Sequence, residues 1–102
     1  MKRTTVKDCL NASAAMDEIT VMGWVRTTRD AKGFRFLEIN DGSHIRNVQV
    51  IAPETLGDWD RVSSLTTGAS IAVKGSLVAS PASGQAWEVH AKEIIVFGEA
   101  DP

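Results

Sequence analysis

The chain of 102 residues has no tyrosine, one cysteine, three prolines and two histidines, and its 13 Asp and Glu outnumber its 11 Lys and Arg. Each shortage excludes something. A lone cysteine, Cys9, can build neither a disulfide framework nor a thiolate metal site, and no activating partner stands beside it in sequence. It reads as a small, half-buried apolar residue. His44 and His90 lie far apart with no ligand spacing around either, so no metal is expected. No apolar run approaches the roughly 20 residues that span a bilayer. The N-terminal stretch "MKRTTVKDCLNASAA" has a basic start but no apolar h-region, so the expectation is a cytoplasmic chain with no membrane partner. No P-loop, nucleophile triad or HxGH-like segment is present. The chain on its own is therefore expected to have no catalytic residues, no cofactor and no enzyme activity. A net charge of −2 argues against an indiscriminate sink for nucleic acid.

What is present is the composition of one ordinary domain: 43% hydrophobic, 24% charged, enough for a single core. Its charge is uneven. Residues 1–50 hold eight Lys and Arg against six Asp and Glu, and residues 51–102 hold three against seven. Arg26, Arg29, Lys32 and Arg35 crowd into ten residues. A local basic patch on an acidic domain suits one specific anionic partner, although a solvated loop would carry the same charges.

The elements follow from punctuation and period. Thr5 with Asp8 is a loose capping-box match, predicting a two-turn helix that ends near Asn11 and must pack on the body to persist. Ile19, Val21 and Val25 alternate through a strand over residues 18–28 that Gly23 bends. "RDAKG" is a charged turn. "FRFLEIN" is a second strand, closed by the Asp41-Gly42 turn signal, and residues 46–52 form a third. Pro53 suits a first helical turn, and Leu56, Trp59, Val62 and Leu65 recur at three-residue steps, predicting a helix before Gly68. A fourth strand spans residues 70–80, with Ile71, Val73, Leu77 and Ala79 on one face and Gly75 as a second bend. "PASGQ" is a loop. A fifth strand, residues 86–98, buries Trp87, Val89 and Ala91, then shifts phase to Ile94 and Val96 through a bulge near Lys92 and Glu93. The three tryptophans are expected to pack in or against the core.

Five strands, glycine bends in the first and fourth, and a helix between the third and fourth describe a mostly β protein, the five-stranded OB-fold barrel. The expected division is an N-terminal helical extension over 1–17, the barrel over 18–98, and a hinge at 99–102. Such barrels bind oligonucleotides or sugars on the face of strands 2 and 3. Strand parity puts Phe34, Phe36, Glu38 and Asn40 opposite the inward Leu37 and Ile39. It turns Gln49 outward between Val48 and Val50, and Glu88 outward between Trp87 and Val89. An exposed ring beside an amide meets the needs of a single-stranded base: a stacking platform, with a donor and an acceptor for its edge. A carboxylate at Glu88 would accept from base N–H groups. Arg26 and Arg29, at the end of the first strand, would hold phosphates or stack. Singly, a surface Phe or Gln means little; their coincidence on one face carries the reading.

"VMGWVRTTRDAKGFRFLEINDGS", "VQVIA" and "LTTGASIAVKGSLVASPASGQAWEVHAKEIIV" resemble the N-terminal anticodon-binding domains of asparaginyl-tRNA synthetases, over nearly the whole chain after the first dozen residues. "GWVRxxRD" and "VQV" are shared with the related aspartyl enzymes, whereas "FLEINDGS" and "VASPxxGQxxEV" are more asparaginyl. The "DAKGF" turn is a residue shorter than in some members. The resemblance implies a domain that grips the anticodon loop of tRNA. In that family the positions matched by Phe36, Gln49, Glu88 and Arg29 respectively stack on the middle anticodon base, bond its edge, face the third base and contact the stem-loop. It further implies a catalytic domain after "GEADP", with ATP and Mg in that domain, and a homodimeric parent enzyme. The alternatives are the anticodon domain of an aspartyl-type synthetase, a free-standing single-stranded nucleic-acid-binding protein, and a protein-interaction domain anchored by Phe36. A free-standing binder is expected to show more stacking aromatics and a net basic groove than this chain has.

Overall fold

The computed structural model describes residues 3–80 and 87–98. The expected loop at 81–85 and hinge at 99–102 lie outside the described residues. Five strands close into a barrel in the order β1-β2-β3-β5-β4: β1 (Met16–Ala31), β2 (Phe34–Asn40), β3 (Val48–Pro53), β4 (Ser70–Ala79) and β5 (Trp87–Gly98). All neighbours are antiparallel except β3 and β5. Two short helices, α1 (Val6–Leu10) and α2 (Trp59–Val62), complete the fold.

β1 closes the barrel because it serves two partners. Met16 to Trp24 pair with β4, and Trp24 to Ala31 pair with β2. The strand therefore runs longer at both ends than alternation alone indicated. Gly23 sits at the change of partner, where a Cβ would collide with the backbone carbonyl of Asn40. Gly75 does the same for β4: a Cβ there would run into the His90 carbonyl. Lys74 pairs with Glu93 and Gly75 with Ala91, leaving Lys92 as the extra residue of the expected bulge.

Leu37, Ile39, Val48, Val50, Ile71, Val73, Leu77 and Val89 fill the interior without solvent exposure. α1 keeps its capping box, with the Thr5 hydroxyl accepting from the Asp8 N–H at 3.0 Å, and buries Val6 and Cys9. Burial first, then the nearby Asp8 and Asp41, push the Cys9 thiol up to about 11, so it is an inert core residue.

The structure corrects four expectations. Pro53 ends β3 rather than opening a helix, and α2 is only four residues long. Its apolar stripe is nonetheless real, with Leu56, Val62 and Leu65 buried and Trp59 packed against the core. Arg35 supplies one reason the helix stops. It leaves β2 on the same side as Leu37 and donates to the carbonyls of Val62 and Leu65, both at 2.9 Å, where a continuing helix would place N–H groups. Its Nε lies 3.0 Å from Asp30, an ion pair without hydrogen-bond alignment. Trp24, expected against the core, is exposed. Ala79 is exposed as well. Trp87 is half-buried instead of fully inside, its indole N–H donating to the Ala12 carbonyl at 2.8 Å.

Candidate nucleic-acid interface

The outer face of β1, β2, β3 and β5 carries the candidate site, and strand register assembles it. Thr27 pairs with Glu38, Glu38 with Gln49, and Gln49 with Glu88, so one row of side chains crosses four strands. In the next row, Arg29 pairs with Phe36 and Phe36 with Ile51. Thr27, Thr28, Arg29, Phe36, Glu38 and Gln49 line an open cleft of about 360 Å³.

The ring and its neighbours are specific in geometry. The Arg29 guanidinium carbon lies 4.2 Å from the Phe36 ring centroid, a cation over a π face. Phe34 meets Phe36 edge-on, centroids 4.9 Å apart and planes at 77°. Phe36 is thus half-buried and held from two sides, a rigid platform instead of a loose surface ring.

The polar row is also held. Glu38 accepts from the Thr27 hydroxyl at 2.9 Å and from the Asn47 amide at 3.5 Å. Gln49 Nε2 donates to Glu88 Oε2 at 3.4 Å, and Glu88 Oε1 lies 2.9 Å from His90 Nε2. This corrects the expectation for Glu88. Parity was right about its direction, since it shares the row of Gln49, but it is not an exposed group. It is 6% exposed. Asn40, also expected on the open face, is buried too. Its amide nitrogen donates to the carbonyls of His44 and Arg46 and to Asn47 Oδ1, and its oxygen accepts from the Gly42 N–H at 2.7 Å.

Of the residues singled out from sequence, Phe36, Gln49 and Arg29 come together in the cleft and Glu88 stands beside Gln49 on β5, outside the cleft lining. Arg26 does not line it. It is the extra residue of a bulge between Val25 and Thr27, exposed, with its carbonyl accepting from the Thr67 hydroxyl at 3.1 Å. Sequence reasoning missed Thr27, Asn47 and His90. His90 had a readable signal, since it lies two residues beyond Glu88 and therefore leaves the strand on the same face.

The loop between β2 and β3, beside the cleft, is fixed by Asp41. Its carboxylate accepts from Arg3 and the Val6 N–H, both at 3.1 Å, and from the Ser43 N–H and hydroxyl at 2.9 and 2.6 Å. Burial alone would raise this carboxyl. The hydrogen bonds from Ser43, Val6 and Arg3 outweigh it and bring the pKa from 3.8 to about 2.

Comparison with known proteins gives the family. Residues 19–97 match the tRNA anticodon family model, described as an OB-fold nucleic acid binding domain. The chain is 55% identical over its whole length to an asparagine–tRNA ligase of Oleidesulfovibrio alaskensis, and 46% identical over 99% of its length to that of Nitratidesulfovibrio vulgaris strain DP4. It spans 22% of the length of each of these curated relatives. Among solved structures, asparaginyl-tRNA synthetase from Pyrococcus horikoshii complexed with asparaginyl-adenylate superposes with a TM-score of 0.84 at 20% identity, covering 99% of this chain and 23% of that one. At that identity the superposition speaks for the fold alone. Barrel topology and a family match over most of the chain converge: the protein belongs to the tRNA anticodon family of OB-fold nucleic-acid-binding domains.

Proposed function

We propose that the chain is the anticodon-binding module of an asparagine–tRNA ligase, and that it recognises the loop by stacking one base on Phe36 and reading its edge with Gln49. The observation that carries this is the juxtaposition across β1, β2 and β3. A ring fixed by Arg29 and Phe34 stands one row from an amide, on the face that OB-folds use for oligonucleotides. Arg29 lies at the rim of that pair, where it can meet a phosphate or extend the stack. Arg26 lies outside the cleft, and its part is limited to the electrostatic approach of the RNA stem. Glu88 acts from beside Gln49, on β5, instead of facing a base in the open.

The relatives' names favour asparagine over aspartate as the amino acid of the parent enzyme. In this reading residues 1–17 extend and brace the barrel, and 99–102 lead toward a catalytic domain that supplies ATP and Mg chemistry in a homodimeric cytoplasmic enzyme. The chain itself contributes recognition and no bond-making step.

Titration of the chain with an anticodon stem-loop across a range of salt concentrations tests the proposal. A net acidic domain with few phosphate contacts should bind at micromolar strength or weaker, with affinity falling as salt rises at roughly 0.7 log units per phosphate contacted. Loops whose middle base is abasic should bind worse than intact ones. Equal binding of intact and abasic loops would sink the stacking mechanism, and absence of any binding would sink the RNA reading altogether.

A further inference from the structure

We infer that Glu88 is a positioning residue for base discrimination: it fixes which end of the Gln49 amide faces β5. The inference rests on the RNA-binding reading above. A carboxylate only accepts hydrogen bonds, whereas an amide has a donor end and an acceptor end of nearly the same shape. Glu88 pairs in register with Gln49, is 6% exposed, and takes the amide nitrogen at 3.4 Å. That bond is long, and its own strength is not what sets the orientation. Turning the amide over would set the Gln49 oxygen against an oxygen of a buried carboxylate, and two acceptors facing each other repel.

The carboxylate is itself held. Its second oxygen lies 2.9 Å from His90 Nε2, so rotating away from Gln49 would break that contact. On the other side of Gln49, across β2, the Glu38 oxygens are engaged by Thr27 and Asn47. The amide therefore has a nitrogen-seeking partner on the β5 side with a fixed position.

The consequence is chemical selectivity. Stacking on Phe36 tolerates every base, because each has a π face. Edge reading by a freely flipping amide is also permissive, since flipping exchanges donor and acceptor. A polarised amide accepts a base edge that offers donor and acceptor in one order and rejects the reverse order. His90 to Glu88 to Gln49 is then a relay of position from the end of β5 into the cleft, and Glu88 acts on the base only through Gln49.

Glu88→Gln is the test, because it keeps the shape and can serve the Gln49 amide from either end. Four anticodon stem-loops differing only in the middle base, with a second set differing only in the third base, are titrated against the chain and against this variant. The wild-type chain is expected to separate the best from the worst loop by roughly tenfold or more, the scale of one good bidentate contact. In Glu88→Gln the ratio should collapse to within about twofold of unity, mainly because the poorly bound loops gain, while the melting temperature stays put. His90→Ala should give an intermediate ratio. A ratio unchanged in Glu88→Gln overturns the inference. So does a change confined to loops varied at the third anticodon base, which would make Glu88 a direct reader. The Gln49 side-chain amide resonances of the RNA-free chain give an independent reading. They should move in Glu88→Gln, and identical resonances in the two proteins overturn the inference. If the wild-type chain binds none of the four loops, the RNA reading fails instead, and the resonances alone decide whether Glu88 holds the amide.

Discussion

Among the described residues, two of the grooves on the outer surface of the barrel make a contrast, and the larger of the two is the poorer candidate for recognition. On the β1, β4 and β5 side, Glu18, Thr20, Lys74, Lys92 and Glu93 surround a volume of about 570 Å³ with Gly75 among them. The cleft over β1, β2 and β3 measures about 360 Å³. The larger groove has Gly75 in its lining, a residue demanded by the close approach of the His90 backbone. Its charges are of both signs, and Lys74 and Glu93 pair across the strands at 3.8 Å. No ring lines it. The smaller cleft has a braced aromatic, an amide and a cation. Barrel closure creates empty space wherever a strand must bend; recognition requires groups that a ligand can use.

The two faces share one core, so the largest effect should strike both. Leu37→Ala removes a fully buried side chain that lies on β2 directly beside Phe36 but points inward. It should reduce folding stability by about 2–5 kcal/mol through the cavity it leaves. Denaturant melts measure this. A loss of under about 1 kcal/mol would mean that β2 is not anchored in the core as described.

Phe36→Ala sharpens the contrast one residue away. It should weaken anticodon-loop binding by roughly 1–3 kcal/mol, the worth of one base–aromatic stack. Its stability cost should stay under about 1.5 kcal/mol, the scale of the edge contact with Phe34. Binding measured by the folded fraction, alongside a thermal melt, separates the two. If the variant unfolds while its folded fraction binds normally, the ring is structural and the two faces lose their distinction.

Much of this contrast was legible in the sequence. The second strand, Phe34–Asn40, was read with its true boundaries, because a glycine turn and an Asp-Gly turn enclose a clean alternation. The two glycine bends and the Lys92 bulge were visible as breaks in that period. Parity placed Phe36 and Gln49 correctly. It failed on the exposure of Glu88, since parity tells which way a side chain leaves a strand and not what lies over it. Gln49 comes from a neighbouring strand 39 residues away, and only the parallel pairing of β3 and β5 brings it there. Arg35 was unreadable for a similar reason: its partners are two backbone carbonyls, one on the last residue of α2 and one just beyond it, which no residue pattern marks. Trp24 sits where β1 changes partner, and the core-packing expectation for tryptophan does not hold at such a corner.

The cleft face also differs in how its flanking loop is held, and pH tests that. Asp41 has a folded pKa of about 2, below its ordinary 3.8, so the deprotonated form is favoured by folding. Its contribution is fully present above about pH 4 and is lost as pH falls through about 2, amounting to about 2 kcal/mol. Asp41→Asn should be less stable than the wild type at neutral pH, and the difference should shrink between pH 4 and pH 2. A constant difference across that range would mean that the Ser43, Val6 and Arg3 contacts do not depend on the charge.

The smallest expected effect is the one that decides between the grooves. Replacing Lys74 and Lys92 together by alanine removes two positive charges from a chain whose net charge is already −2. If RNA were drawn to the protein by overall charge, this should weaken binding as much as any single arginine change. The Lys74–Glu93 pair is solvent-exposed, with side chains 35% and 60% accessible, so breaking it should cost little stability, in the 0–1 kcal/mol range of surface pairs. At physiological ionic strength, charges more than about 8 Å from a phosphate are largely screened. The double variant should therefore change loop affinity by less than about 0.5 kcal/mol and leave the salt slope unaltered, because neither lysine meets a phosphate when RNA sits over Phe36. Arg29→Ala is the counterpart. It should lower the salt slope by about 0.7, one phosphate's share, and weaken binding further by removing the cation over the ring. Titrations of the three proteins at several salt concentrations make the comparison. Should the lysine variant flatten the salt slope and Arg29→Ala leave it alone, the larger groove, with its paired charges and no ring, would be the surface that meets RNA.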